Sequence, residues 1–162
     1  MSLRLLASLC LLPLAVLAAE DFGDAWGTAE REAAYYRLVN VPMPEGTYLE
    51  AGSFVSLPDG RLAVGSRRGE ILLFTGVGDE EPKPRVSTFA SGLDEVLGLA
   101  WRDEMFYATH ATEVTRIADT NGDGVMDRKH VFADKLELVT GFVLYRNGVI
   151  AATSPDIWYL ED

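Results

Sequence analysis

From about residue 45 onward, apolar residues come in short runs that alternate with polar ones and break at turn residues, the pattern of half-buried β-strands. The pattern also repeats. Three segments superpose: GSFVSLPDGRLAVGSRRGEILLF from Gly52, GLAWRDEMFYATHATEVTRIAD from Gly98, and GFVLYRNGVIAATSPDIWYLED from Gly141. The acidic residues Glu70, Glu113 and Asp156 mark the period, each 43 residues after the one before. Every unit predicts an apolar strand, a tight turn, a second strand, a short loop and a third strand. The tight turns are Pro58-Asp59-Gly60, Arg102-Asp103-Glu104 and Arg146-Asn147-Gly148. The first two units add a longer polar stretch and a fourth strand, Arg85 to Ala90 and Lys129 to Ala133. A β-rich repeat of about 40–50 residues with four strands per unit is the signature of a propeller blade. An antiparallel sandwich would produce similar alternation but gives no reason for a constant offset. The predicted fold is therefore all-β, an incomplete β-propeller over residues 45–162. It holds about two and a half four-stranded blades, whose units start near residues 52, 98 and 141. Propellers usually close with about four to eight blades. The sequence thus reads as the N-terminal piece of a longer protein, with unpaired sheet edges and a self-association hazard.

The first residues follow a different logic. Arg4 precedes an apolar run from Leu5 to Leu17, and Ala18, Ala19 and the acidic pair Glu20-Asp21 come next. This is the layout of a secretory signal peptide over residues 1–19, cut after Ala18 or Ala19, with export to the periplasm or the extracellular space. The alternative, an uncleaved anchor, is disfavoured because the run falls short of the roughly 20 residues that cross a hydrocarbon core. Residues 20–44 form an N-terminal arm in this reading. Within it the Ala-rich stretch from Ala25 to Leu38 predicts a short leading helix or a loosely ordered segment, ahead of Pro42 and Pro44.

Composition narrows the function classes. At 48% hydrophobic and 24% charged the chain is a globular sequence, not a disordered tail. A formal charge of -11 argues against nucleic acid as a partner, because association with a phosphate backbone would have to overcome long-range repulsion. The single cysteine, Cys10, lies in the predicted signal peptide. Once that segment is removed, the chain has no thiol for a disulfide, thiol catalysis or covalent haem attachment. No nucleophile elbow, phosphate loop, dinucleotide fingerprint or zinc spacing is present.

The most specific chemistry lies after the third strand of the second unit, in Asp119-Thr120-Asn121-Gly122-Asp123-Gly124-Val125-Met126-Asp127. Asp119, Asn121, Asp123 and Asp127 place oxygen-bearing side chains at relative positions 1, 3, 5 and 9. Gly124 allows the sharp turn, and Val125 offers its carbonyl at position 7. Clustered hard oxygens in this spacing suit calcium. Position 12 is His130 instead of the bidentate Glu of a helical EF-hand, so a helix-loop-helix sensor is rejected. A bare polar turn is the alternative. The loop joins strand three to strand four, away from the loops that usually meet a propeller's substrate, so the expected role of the ion is structural.

The loops between strands two and three carry Ser66-Arg67-Arg68-Gly69, Thr109-His110-Ala111-Thr112 and Thr153-Ser154-Pro155. Arg67, His110 and Thr153 are equivalent in the repeat, so a cation and an imidazole are expected around one channel mouth. Arg67 and Arg68 suit the carboxylates of an anionic ligand or cofactor. His110 is the candidate general base for taking a hydroxyl proton. The plainer alternative is a solvated Arg pair and a hydrogen-bonding loop His. His130, which begins the fourth strand beside the acidic loop, is read as structural.

The stretches YYRLVNVPMPEG, LPDGRLAVGSRRGEI, FASGLDEVLGLAW, VTRIADTNGDGVMDRKHVFADKLELVTGF and SPDIWYLED together resemble the N-terminal propeller of the membrane-bound dehydrogenase family of the haem-binding CxxCH type. These are large secreted bacterial proteins related to the glucose/sorbosone dehydrogenase propellers. The resemblance covers about Tyr35 to Asp162. It implies a propeller from a quinoprotein-type sugar or alcohol dehydrogenase, with pyrroloquinoline quinone as redox cofactor of the full-length protein. The implied partners are a sugar or alcohol substrate and the remaining propeller blades or haem domain of the longer protein. No CxxCH segment and no helical repeat region is present, so the chain is expected to be inactive by itself. The alternative is a non-catalytic propeller module that binds carbohydrate or a protein partner. A lactonase-type hydrolase is a weaker third reading, since there the calcium lies in the central channel.

Overall fold

The computed structural model describes residues 35–36 and 39–161. The predicted signal peptide and nearly all of the predicted leading helix lie outside the described residues. Met1–Val39 and Asn40–Asp162 form separate units.

The described residues contain eleven strands and no helix. They form three antiparallel meanders. The first sheet runs β1 (Ala51–Ser56), β2 (Leu62–Ser66), β3 (Ile71–Thr75) and β4 (Arg85–Ala90) in sequence order. The second runs β5 (Val96–Arg102), β6 (Met105–His110), β7 (Glu113–Ala118) and β8 (Arg128–Ala133). The third has β9 (Val139–Tyr145), β10 (Gly148–Thr153) and β11 (Asp156–Glu161), with β10 in the middle. Fourth strands therefore occur where the pattern places them. The second strands repeat at the 43-residue spacing, beginning at Leu62, Met105 and Gly148, as do the fourth, which begin at Arg85 and Arg128, and the third come within one residue of it. Among the first strands β5 and β9 keep the spacing, beginning at Val96 and Val139, and β1 departs from it because its turn differs. The β1–β2 turn is held by Gly60 N–H donating to Leu57 O (3.0 Å) and Leu57 N–H to Arg61 O (2.8 Å), whereas Arg102 and Met105 flank a two-residue turn. That turn places Asp103 and Glu104 at φ 53° and 60°, a conformation that tightly twisted hairpins require.

The core explains why three small sheets hold together. Strand side chains alternate between faces, so the second sheet has two apolar faces to cover. One face places Val96, Phe106, Ala108 and Ile117 against Ala63, Ile71, Leu73 and Phe89 of the first sheet. Its opposite face places Tyr107 and Val114 against Val139, Val149 and Ala151 of the third. Phe106 sits at the first junction, edge-on to Phe89 at 4.9 Å and to Trp101 at 4.6 Å between centroids. The first strands lie beside one another, β1 against β5 and β5 against β9.

Backbone hydrogen bonds tie neighbouring sheets at repeat-equivalent points: Leu93 N–H donates to Gly69 O (3.0 Å) and Leu136 N–H to Thr112 O (3.1 Å). Gly69 is at φ +82°, and a Cβ there would collide with the Leu93 carbonyl oxygen. Gly69→Ala therefore combines left-handed strain with a steric clash against backbone that cannot swing away. We expect a loss of at least about 1–2 kcal/mol, read as a lower urea midpoint at unchanged slope. An unchanged midpoint would show that the sheets do not meet there.

Candidate metal centre and hairpin face

The acidic loop spans β7 to β8, and its side-chain oxygens fold back onto its own backbone. Asp119 Oδ1 accepts from Gly122 N–H (2.7 Å) and Asp119 Oδ2 from Gly124 N–H (2.8 Å). Asn121 Oδ1 accepts from Asp123 N–H (2.9 Å), and Asp123 Oδ1 from Val125 N–H (2.9 Å). Short Asx side chains make such turns because their oxygens reach amides two or three residues on, and Asp119 Oδ2 reaches across the turn to the fifth. Gly124, at φ +89°, takes the left-handed corner that the sequence assigned to it. Asp127 closes the loop from the other end. Its Oδ1 accepts from Thr120 N–H (2.9 Å), its Oδ2 from the Thr120 hydroxyl (2.8 Å), and its own N–H donates to Ala118 O (3.0 Å). The Thr120 amide, and after it the hydroxyl, hold the Asp127 carboxyl below its ordinary value of 3.8.

The loop is also anchored to the body. Met126 N–H donates to Phe89 O (2.8 Å), and the Met126 side chain packs on the cluster between the first and second sheets. A ligand that stiffened this loop would thus stiffen a sheet junction.

The donor set has the chemistry of a hard-cation site: three carboxylates, the Asn121 amide oxygen and the Val125 carbonyl, and the side-chain oxygens that accept from a loop amide keep a second lone pair. Asp119, Asn121 and Asp123 lie within one closed turn, whereas Asp127 is committed to Thr120. Accordingly, among the described residues no three His, Cys, Asp or Glu side chains gather as a metal-ligand group. Calcium would be held by Asp119, Asn121, Asp123 and the Val125 carbonyl, with Asp127 turning from Thr120. A mixed-charge cleft adjoins the loop, lined by Asp119, Thr120, Arg116, Arg128 and His130 among others. His130 Nδ1 lies 3.4 Å from Arg116 Nη2.

The hairpin face is assembled differently from the repeat's expectation. Arg67 and Arg68 line a cleft with Leu93, Asp94, Glu95, Ala111 and Leu138. Arg67 Nη2 is paired with Glu95 Oε1 at 2.9 Å, both side chains being about half exposed. Arg68 lies over the Tyr48 ring at 5.9 Å. With Asp94 and Glu95 opposite the two arginines, the cleft is nearly charge-balanced.

His110 does not project into this cleft. It is the last residue of β6, paired across the ladder with Val96 and Glu113, and is only 4% exposed. Its neighbour Ala111, at φ 51°, lines the cleft in its place. The physical reason is the hairpin. The β2–β3 turn begins at Arg67 and uses Gly69, so Arg67 stands outside the strand, whereas the two-residue Ala111-Thr112 turn draws His110 into the ladder. Thr153, the third equivalent residue, is likewise buried.

His110 Nε2 is 3.6 Å from Glu113 Oε2, whose other neighbour is Lys129 Nζ at 3.9 Å, and it has no hydrogen-bond partner among the described residues. Desolvation, and then the Lys129 charge, lower its pKa from the ordinary 6.5, against an opposing pull from Glu113 and Asp94. Well above 6.5 the imidazole is neutral folded or unfolded and contributes no pH dependence. As pH falls below 6.5 the unfolded chain takes up the proton first, so stability drops until the lowered folded value is passed. We expect His110→Gln to flatten the stability profile between about pH 7 and 5. Thermal unfolding across that range checks this, and an undiminished slope in the variant would assign it elsewhere.

Glu113 was legible as the repeat marker but not as the imidazole's partner. Glu95, immediately before the apolar run of β5, carried no signal that it would pair with Arg67.

Comparison with known proteins reaches only the second half of the chain. Residues 101–162 match a family described as a domain of unknown function (DUF7133). The match takes in the acidic loop, His110 and the whole third sheet, and leaves the first sheet outside. No curated protein and no solved structure matches the chain.

Proposed function

We propose that the chain is a secreted, calcium-stabilised β-propeller segment of a quinoprotein-type sugar or alcohol dehydrogenase, inactive as an isolated piece. The observation that carries the propeller reading is the repetition of one meander at a 43-residue spacing, with successive sheets packed face to face and first strands side by side. The acidic loop supports structural calcium through its donor set. The dehydrogenase reading rests on the resemblance of the repeated segments. Export rests on the apolar run before Ala18, and among the described residues no helix is long and apolar enough to cross a membrane.

In this reading, Arg67 and Arg68 would meet the carboxylates of pyrroloquinoline quinone. When bound, that group would accept the hydride equivalent released on alcohol oxidation. The chain's own residues impose two costs. Arg67 must give up Glu95 to receive an anion. His110 must emerge from beneath Ala111 to take a hydroxyl proton.

Those two costs favour the second reading, a non-catalytic module whose cleft binds carbohydrate or a protein partner. The two separate by experiment. Equilibrium binding of the quinone to the purified chain, weakened tenfold or more in Arg67→Ala/Arg68→Ala, supports the cofactor site. Carbohydrate binding with no quinone binding supports the module.

A further inference from the structure

We propose that the cleft lined by Arg67, Arg68, Asp94 and Glu95 binds a free α-amino acid with an apolar side chain, taken as the zwitterion. The inference does not rest on the dehydrogenase reading. The cleft has a volume of about 490 Å³, within the range of roughly 300–1,000 Å³ common to small-molecule sites. Arg67 and Arg68 stand on the β2–β3 hairpin, Asp94 and Glu95 on the link from β4 to β5, and Leu93 and Leu138 supply apolar surface. All of these positions lie between described strands. Backbone hydrogen bonds hold the walls in place without a ligand. Arg67 N–H donates to Glu50 O (2.8 Å), Leu93 N–H to Gly69 O (3.0 Å) and Val139 N–H to Ala111 O (3.1 Å).

The charge pattern selects the ligand. Arg67 Nη2 and Glu95 Oε1 pair at 2.9 Å with both side chains about half exposed, and an ion pair in that much water is weak enough to open. A lone anion on Arg67 would displace Glu95 and leave that carboxylate, with Asp94 next in the chain, beside a new like charge. Glu95 first, and Glu50 more weakly, raise the Arg67 pKa, so the anion would meet a third carboxylate as well. A lone cation on Glu95 would in turn face Arg67 and Arg68. A neutral molecule gives the pair no reason to open. A zwitterion turns one ion pair into two, its carboxylate on Arg67 and its ammonium on Glu95, and every charge keeps a counter-charge. An α-amino acid carries both groups on one carbon, which suits two protein charges that stand within one hydrogen bond of each other. Leu138 is 52% exposed, and with Leu93 it gives an apolar α-substituent a surface to cover.

The test titrates the full chain with L-leucine, N-acetyl-L-leucine and L-leucinamide by calorimetry, the second lacking the ammonium and the third the carboxylate. The proposal expects saturable one-to-one binding of L-leucine with a Kd of about 1 mM or tighter, and binding weaker by tenfold or more for each of the other two. Glu95→Gln should weaken L-leucine and strengthen N-acetyl-L-leucine, because the released Arg67 no longer has a carboxylate to lose. Arg67→Ala should weaken L-leucine until it binds no better than L-leucinamide. An unchanged unfolding midpoint confirms that each variant is folded, and the three ligands on the unaltered chain decide the matter even where a variant is not. No saturation by L-leucine, N-acetyl-L-leucine or L-leucinamide binding as tightly as L-leucine, or folded variants that leave the order of the three unchanged would each overturn the proposal. Quinone binding without L-leucine binding would sink this inference and leave the cofactor reading standing, and the reverse result would do the opposite.

Discussion

Raising free calcium to one hundred times its dissociation constant should add about 2.7 kcal/mol to the stability of the folded chain, seen as a melting temperature that climbs with calcium concentration. The gain follows from mass action, because an ion that needs Asp119, Asn121 and Asp123 within one turn binds the folded loop and not the open chain. The loop's own hydrogen bonds allow ion binding to be separated from loop stability. Asp123 supports a single amide, that of Val125, whereas Asp119 supports two, those of Gly122 and Gly124. Asp123→Ala should therefore abolish the calcium response and change calcium-free stability little. Asp119→Ala should abolish the response and also cost about 1 kcal/mol without calcium, as two loop amides lose their acceptor. Calorimetric titration of the three proteins, with unfolding recorded in parallel, reads both effects. An undiminished calcium response in Asp123→Ala would remove the ion from this loop.

Truncating Phe106 should cost about 3–5 kcal/mol, the range for emptying a large aromatic site in a packed core. Phe106 is 1% exposed and holds Phe89 on one sheet and Trp101 on its own in edge-to-face contact. Its removal therefore leaves a cavity at the junction of the first and second sheets. Against a total stability of about 5–15 kcal/mol this is a large share. Urea denaturation should show the midpoint of Phe106→Ala falling sharply, with Trp101 emission moving to the red as water reaches the junction. Phe54 provides the control. It lies on β1 but is 60% exposed, so Phe54→Ala should shift stability by no more than about 0.5 kcal/mol. A Phe106→Ala loss under about 1 kcal/mol would mean that the two sheets are not held together at this point.

The strands were legible because their signals are local. The fourth strand expected at Arg85 to Ala90 spans those residues, and the one expected from Lys129 begins one residue earlier, at Arg128. Alternation and turn residues specify such elements within a handful of positions. The first strands were placed less well: β5 and β9 begin at Val96 and Val139, two residues before the glycines that opened the repeat. Both extra residues pair across a bulge, Val96 with His110 and Val139 with Thr153, and a register shift leaves no mark on an apolar period.

The sequence by itself determined the all-β character of residues 45–161, the meander order, the repeat spacing and the oxygen-rich loop with its Gly124 corner. Each is decided by neighbours in the chain, through side-chain alternation, turn chemistry and Asx hydrogen bonding. Only the tertiary structure decided that Arg67 is held by Glu95, that His110 is buried beside Glu113 and Lys129, and that Met126 ties the acidic loop to Phe89. A repeat makes two positions equivalent in the ladder, but their exposure and charge partners are set by the hairpin that follows and by the sheet packed alongside. Those contacts join residues up to several dozen positions apart, and no local pattern specifies them.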